Sequence, residues 1–145
     1  MKHLAAILTV LLMSVSCYGE NWHKLDNVKV SDGDTLRADV SLGWGVVLQD
    51  QSIRALDFDA PEISHTRDAV DVTDDEILRG QAAKAALKVL VAAGTVEVSP
   101  RFGGKRDRYG RMLAVIRVKS KDGKAVLLSV WAKQNGFTRT PEPPK

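Results

Sequence analysis

Apolar and polar residues alternate over short runs along most of the chain, and the period lengthens to a helical one in only two places. Val28–Val40 carries apolar or small residues near every second position, as a strand with one buried face does. Ser31-Asp32-Gly33-Asp34 interrupts that run with turn-forming residues. Val46-Val47-Leu48 and Ile53–Phe58 predict further strands, and Leu42-Gly43-Trp44-Gly45 between them predicts a hairpin tip or bulge. Thr73-x-x-Glu76 has the form of a capping box: the hydroxyl takes one free N–H and the carboxylate reaches back to another. Behind it Leu78, Ala82, Ala85, Val89 and Ala93 recur at helical spacing as far as Gly94, a helix stop. Thr95–Ser99 and Met112–Val118 alternate as strands, and Asp122-Gly123 predicts a tight turn. A last helix is predicted from about Ala125 to Asn135, ended by Gly136, and Pro141, Pro143 and Pro144 exclude a helical tail. Short strands dominate. The order strands, helix, strands, helix predicts an α+β domain on a barrel-like antiparallel sheet.

A chain of 145 residues with 44% hydrophobic and 27% charged residues is expected to form one domain with its own core, neither disordered nor a multi-span membrane protein. The first residues are read separately. Lys2 and His3 precede the apolar run Leu4–Met13, and the small residues Ser14, Ser16 and Gly19 follow, the layout of a secretory signal peptide over residues 1–19. The run is shorter than the roughly 20 residues needed to span a bilayer. The single cysteine, Cys17, has no internal partner, so the mature fold relies on packing rather than on a disulfide. Ser14-Val15-Ser16-Cys17 faintly resembles a lipoprotein processing site, which leaves lipid anchoring at Cys17 as an alternative to simple export into the periplasm or medium.

Charge adds a second pattern. The formal net charge of +3 is too small to imply a polyanionic partner, and removal of residues 1–19 takes away one more base. Its distribution is uneven: residues 101–124 hold nine Lys or Arg against Asp107 and Asp122, whereas residues 57–76 hold eight acids against Arg67. One segment suits a polyanion and the other a cation, although two solvated faces of opposite sign would look the same.

Three clusters carry candidate chemistry. In Asp32-Gly33-Asp34-Thr35 a glycine between two carboxylates lets the backbone fold tightly around a cation, and the same residues also make an ordinary turn. Arg54 lies in a strand that ends at Asp59-Ala60-Pro61-Glu62, where Pro61 restricts the backbone between the flanking carboxylates. Two carboxylates and a backbone carbonyl would leave places for water and substrate on a calcium ion; the plain alternative is an Arg–carboxylate pair at a strand edge. In Asp107-Arg108-Tyr109-Gly110-Arg111, Arg111 can grip a phosphate with two parallel hydrogen bonds, unless the segment is only a basic surface loop.

Taken together and in this order, the clusters resemble the staphylococcal nuclease (thermonuclease) family. The matching pieces are Val30–Thr35, Ile53-Arg54 with Asp59–Glu62, Gly80-Gln81-Ala82-Ala83 at a helix start, Asp107–Ala114 and Asn135-Gly136, spanning about Val28 to Phe137. Leu42–Val46 is similar to a hairpin insert in a bacterial and phage subset of that family. The resemblance implies a five-stranded antiparallel OB-type β-barrel with two or three packed helices, over residues 20–145 with a core at about 26–138. It implies a calcium-dependent endonuclease acting on DNA or RNA, leaving 3′-phosphate ends, with one Ca²⁺ per chain and a monomeric state. By position Asp34, Asp59 and the carbonyl of Ala60 correspond to the metal ligands. Glu62 corresponds to the general base or water-orienting group, Arg54 and Arg111 to the phosphate clamp, and Tyr109 with Arg108 to substrate-binding groups.

The chain departs from the family pattern in places. Ala60 stands where a threonine is common, Asp57 adds a carboxylate able to alter metal preference, and Ile63–Asp75 is longer and more acidic. Thr138–Lys145 offers neither a third helix nor a second base-holding tyrosine. The chemistry agrees with the assignment on its own terms, since attack on a phosphodiester builds charge that a metal and guanidinium groups stabilise. Two other classes of reading stand beside the enzyme: a non-catalytic OB-type nucleic-acid-binding module, which needs the arginines but not Glu62, and an envelope lipoprotein tethered through Cys17.

Overall fold

The computed structural model describes residues 21–65 and 72–139. The predicted signal segment with Cys17, part of the acidic stretch (66–71) and the proline-rich end from residue 140 lie outside the described residues. The strands are β1 (His23–Val30), β2 (Thr35–Gly43), β3 (Val46–Ala55), β4 (Thr95–Pro100), β5 (Met112–Lys119) and β6 (Ala125–Leu127); the helices are α1 (Asp74–Ala92) and α2 (Leu128–Gln134). Hydrogen-bonded neighbours run β3-β2-β1-β4-β5-β6, and β3 also pairs with β5, so the first five strands close into a barrel of OB type. All these pairings are antiparallel except the closure itself, in which Ile53, Arg54 and Ala55 lie parallel to Met112, Leu113 and Ala114. The barrel is therefore mixed, not purely antiparallel as expected. The parallel seam places the end of β3 beside the start of β5, and this sets up the site.

Inward positions alternate as the pleat requires. Leu36, Ala38 and Val40 of β2, Val96 and Val98 of β4, and Met112, Ala114, Ile116 and Val118 of β5 are all buried in one cluster. Closing the sheet leaves few unpaired edges for other chains to extend. Val46–Leu48 and Ile53–Phe58 are not two strands: β3 is continuous to Ala55, and the chain then turns out through Asp57, whose φ is 72°. The Gly43-Trp44-Gly45 tip is the predicted hairpin turn, with all three residues at positive φ.

Helix α1 occupies its predicted place, and Thr73 Oγ1 caps it by accepting the Glu76 N–H at 3.2 Å. Its predicted stripe, however, is the outer one. Leu78 and Val89 are 63% and 71% exposed, and the helix packs through Gly80, Ala83 and Leu87 instead. Alanines and valines surround this helix, so two stripes share the helical period. Close approach to the barrel selected the one with the smallest side chains at its start. The last helix is also shorter than predicted. Ala125–Leu127 pairs with β5 as β6, and α2 begins only at Leu128. It ends as predicted at Gly136 (φ 71°), where the Phe137 N–H donates to the Ala132 carbonyl at 2.8 Å. That turn sends Phe137–Arg139 back toward the barrel, with Phe137 against Trp131 at a ring separation of 5.3 Å.

Candidate functional site

Three strand ends meet at one pole of the barrel. Thr35 opens β2 and pairs with Arg54 near the end of β3, which lies beside Leu113 just inside β5. Asp34 precedes the first of these strands and Arg111 the last. The turn before β2 is closed by the Ser31 N–H donating to the Thr35 carbonyl at 2.9 Å and the Asp34 N–H donating to Asp32 Oδ1 at 3.2 Å. Gly33 is required for closeness: a Cβ there would stand 2.6 Å from the Ala60 Cβ.

Asp34 is 4% exposed, and its side chain is held on three sides. Oδ1 accepts from Thr35 Oγ1 at 2.9 Å and from Arg54 Nη1 at 2.8 Å, while Oδ2 accepts the Ala60 N–H at 2.9 Å. Arg54 gives its second arm, Nη2, to Asp59 Oδ1, so one guanidinium joins two of the predicted metal ligands. Burial pushes the Asp34 carboxyl up to about 6, even though the Ala60 N–H and Arg54 both pull it down. One part-buried arginine does not balance this anion.

Arg111 reaches the same point from the other side. Its Nη1 donates to Thr35 Oγ1 at 3.3 Å, the hydroxyl that itself donates to Asp34. The Arg111 Nε is fixed by Asp107 Oδ2 at 2.8 Å, and Asp107 Oδ1 accepts the backbone N–H groups of Tyr109 and Arg111 at 2.9 and 3.0 Å. Although burial works against it, these three donors and the guanidinium charge hold the Asp107 carboxyl below its ordinary value. Asp107 thus organises the whole loop. Arg108 and Arg111 both lie over the Tyr109 ring, at 4.8 and 5.2 Å from its centre.

Glu62 belongs to a neighbouring group of contacts. Its N–H donates to Glu76 Oε1 at 3.4 Å, and its carboxylate lies 3.8 Å from Arg139 Nη1. A Cβ on Gly80 would meet the Glu62 carbonyl oxygen at 2.1 Å and the Pro61 oxygen at 2.7 Å, so the Pro61–Glu62 backbone rests directly on α1. The Glu76 carboxylate, predicted to reach back over the helix start, instead engages Glu62 and Arg139 through Oε1.

The eight predicted site residues thus fall into a directly bonded set (Asp34, Arg54, Asp59, Ala60), an arginine joined to it through Thr35 (Arg111), its flanking pair (Arg108, Tyr109), and Glu62 two residues beyond Ala60. Among the described residues no three His, Cys, Asp or Glu side chains are clustered to hold a metal ion. The donors present are nonetheless all oxygens, and a nearly buried carboxylate short of positive charge suits a hard cation such as Ca²⁺. Asp34 Oδ2, with a single hydrogen-bond donor among the described residues, and Asp59, 72% exposed at its side chain, have lone pairs to offer it. Sequence reasoning gave four supporting residues no role in the site: Thr35, Glu76, Asp107 and Arg139. Asp107 carried a signal, an acid four residues before an arginine across a Tyr-Gly turn; Arg139 carried none. Comparison with known proteins returns no matching family model and no matching curated protein.

Proposed function

We propose that this chain is an exported, metal-dependent phosphodiesterase of the thermonuclease type, cutting DNA or RNA endonucleolytically. The observation that carries the reading is the unbroken chain of contacts Asp59–Arg54–Asp34–Thr35–Arg111. It gathers two guanidinium groups and two carboxylates, one of them nearly buried, at one strand-end junction. A purely structural ion pair would not need a second arginine braced by its own aspartate.

Asp34, Asp59 and the Ala60 carbonyl would hold the calcium ion, which when bound lends positive charge to the phosphate it shares. Arg54 and Arg111 supply planar, paired donors to the non-bridging oxygens, whose charge grows as a fifth oxygen approaches phosphorus. Glu62 takes one proton from the attacking water, whose oxygen forms the new P–O bond. The P–O5′ bond breaks, the 5′ oxygen leaves with a proton from solvent, and the phosphate stays on the 3′ end. Arg108 and Tyr109, exposed beside Arg111, would meet the adjoining nucleotide.

The test is cleavage of DNA and RNA by the purified protein with millimolar calcium and with excess chelator, alongside Glu62→Gln. Calcium-dependent cutting that falls about 10²–10⁴-fold in the variant, with single-strand affinity kept, is expected. Affinity without cleavage under any metal would instead identify a binding module. Mass spectrometry of the native protein checks export: the chain should begin after Ser16 or near Gly19, and a diacylglycerol adduct on Cys17 would mean lipid anchoring.

A further inference from the structure

The returning segment after α2 crosses the candidate site at its most exposed carboxylates. The Arg139 N–H donates to the Asp59 carbonyl at 2.7 Å, and Arg139 Nε meets Glu76 Oε1 at 2.9 Å. Its Nη1 lies 3.8 Å from Glu62 Oε1. A second arginine anchors the same segment, Arg79 Nη2 donating to the Thr138 carbonyl at 2.8 Å. One residue therefore touches the start of the Asp59–Glu62 loop, its end, and the helix on which it rests. The Glu76 carboxylate sits at the Glu62 N–H, so two residues of like charge are held in contact, and they repel unless a cation bridges them. The Arg139 guanidinium is that cation. It leans on Glu76 at hydrogen-bond distance and on Glu62 at longer range, so among the described residues Glu62 keeps a carboxylate oxygen unclaimed.

The geometry points to Arg139 as a positioning residue for Glu62: it neutralises Glu76 and fixes the loop that carries the general base. This rests on the hydrolytic reading above. It assigns a role in the site to the segment after Gly136, whose sequence gave no such signal.

Arg139→Gln tests it, because the backbone N–H to Asp59 survives while the guanidinium is lost. With calcium and saturating DNA, kcat is expected to fall about 10–100-fold, the range for a misplaced reacting group, with KM unchanged. In a Glu62→Gln background the same change is expected to alter the rate less than twofold, since the two residues act as one unit. Losses that multiply would overturn the proposal, as would a raised KM at normal kcat, which would make Arg139 a phosphate contact. A second measurement needs no turnover. Amide hydrogen exchange over residues 59–62 is expected to speed up in the variant while β4 and β5 keep their protection. Unchanged exchange there overturns the positioning role even if cleavage falls. Absence of cleavage by the unaltered protein would defeat the hydrolytic reading, and the exchange result would still decide whether Arg139 holds the loop.

Discussion

At one end of the barrel, Asp34 is almost fully buried and every oxygen of its carboxylate has a donor. At the other end, Trp44 is completely exposed at the tip of the β2–β3 hairpin, with Leu42, Val46, Val47 and Leu48 open to solvent around it. The same strand, β2, connects them over nine residues, a span of roughly 26 Å at the usual rise. The two ends invert the ordinary preference for apolar inside and charged outside, and they do so at different cost. A buried charge is tolerated only with its partners in place, so each partner at the site end is strongly coupled to the rest. An exposed indole asks nothing of its neighbours. Changes at the first end should therefore propagate, and changes at the second should not.

The largest expected effect is on turnover. Arg54→Lys and Arg111→Lys keep the charge but lose the planar fork, and each is expected to lower the cleavage rate about 10²–10³-fold. Lys119→Ala, an exposed change at the far end of β5, serves as the reference and should leave the rate near normal. Near-normal turnover in both lysine variants would reduce the two arginines to general attraction of the polyanion.

Next in size is a pH effect on stability. The Asp34 carboxyl stands at about 6 in the folded chain against 3.8 ordinarily. As pH rises through that window the unfolded chain releases this proton while the folded one retains it, so the metal-free protein loses stability. The loss from this group approaches about 3 kcal/mol and levels off near pH 7. Calcium favours the ionised form, so the rise in Tm on adding calcium should grow between pH 4 and pH 7. A calcium increment independent of pH would show that Asp34 is not a ligand.

A third change should act through packing. An alanine in place of a mid-helix glycine ordinarily stabilises by up to about 1 kcal/mol. Gly80→Ala should do the reverse, destabilising by about 1–3 kcal/mol, because its Cβ would collide with the Glu62 carbonyl. Cleavage should fall with it, as the loop bearing Glu62 is pushed off α1. Denaturant titration beside a rate assay reads both, and a more stable, fully active variant would show that the loop does not rest on the helix.

What could be read from the sequence divides along physical lines. β5 alternates strictly, and β2 and β4 nearly so, because their inward faces fill the barrel, so period 2 revealed them. The directly bonded residues of the candidate site were also legible as a group, since a turn of Asp-Gly-Asp and an Asp-Ala-Pro-Glu strand exit are short-range patterns. Four things were not. The parallel closure of β3 on β5 is a long-range pairing that leaves no local trace. The packed face of α1 was decided by how near Gly80 and Ala83 can come to the barrel, which hydrophobic spacing does not measure. Ala125–Leu127 joined β5 because a β-partner was available, overriding a pattern that suited a helix turn equally well. Arg139 lies beyond all local signals, and only the fold brings it to Glu76 and Glu62.

The smallest expected effect belongs to the largest exposed side chain. Trp44 has φ 49°, between Gly43 at 88° and Gly45 at 76°, so it holds a left-handed conformation that disfavours any side chain by roughly 1–2 kcal/mol. Trp44→Gly removes that strain and gives back about 0.5–1 kcal/mol through the greater freedom of glycine in the unfolded chain. No apolar burial is lost, because the indole is fully exposed to begin with. The two terms oppose each other, and stability should stay within about 1 kcal/mol of the unaltered chain. Turnover should not change, with Asp34 and Arg54 at the opposite end of β2 and β3. Denaturant midpoints for the two proteins make the measurement. A drop of several kcal/mol would mean that Trp44 packs against part of the chain in solution, and the contrast between the two barrel ends would then fail at its distal side.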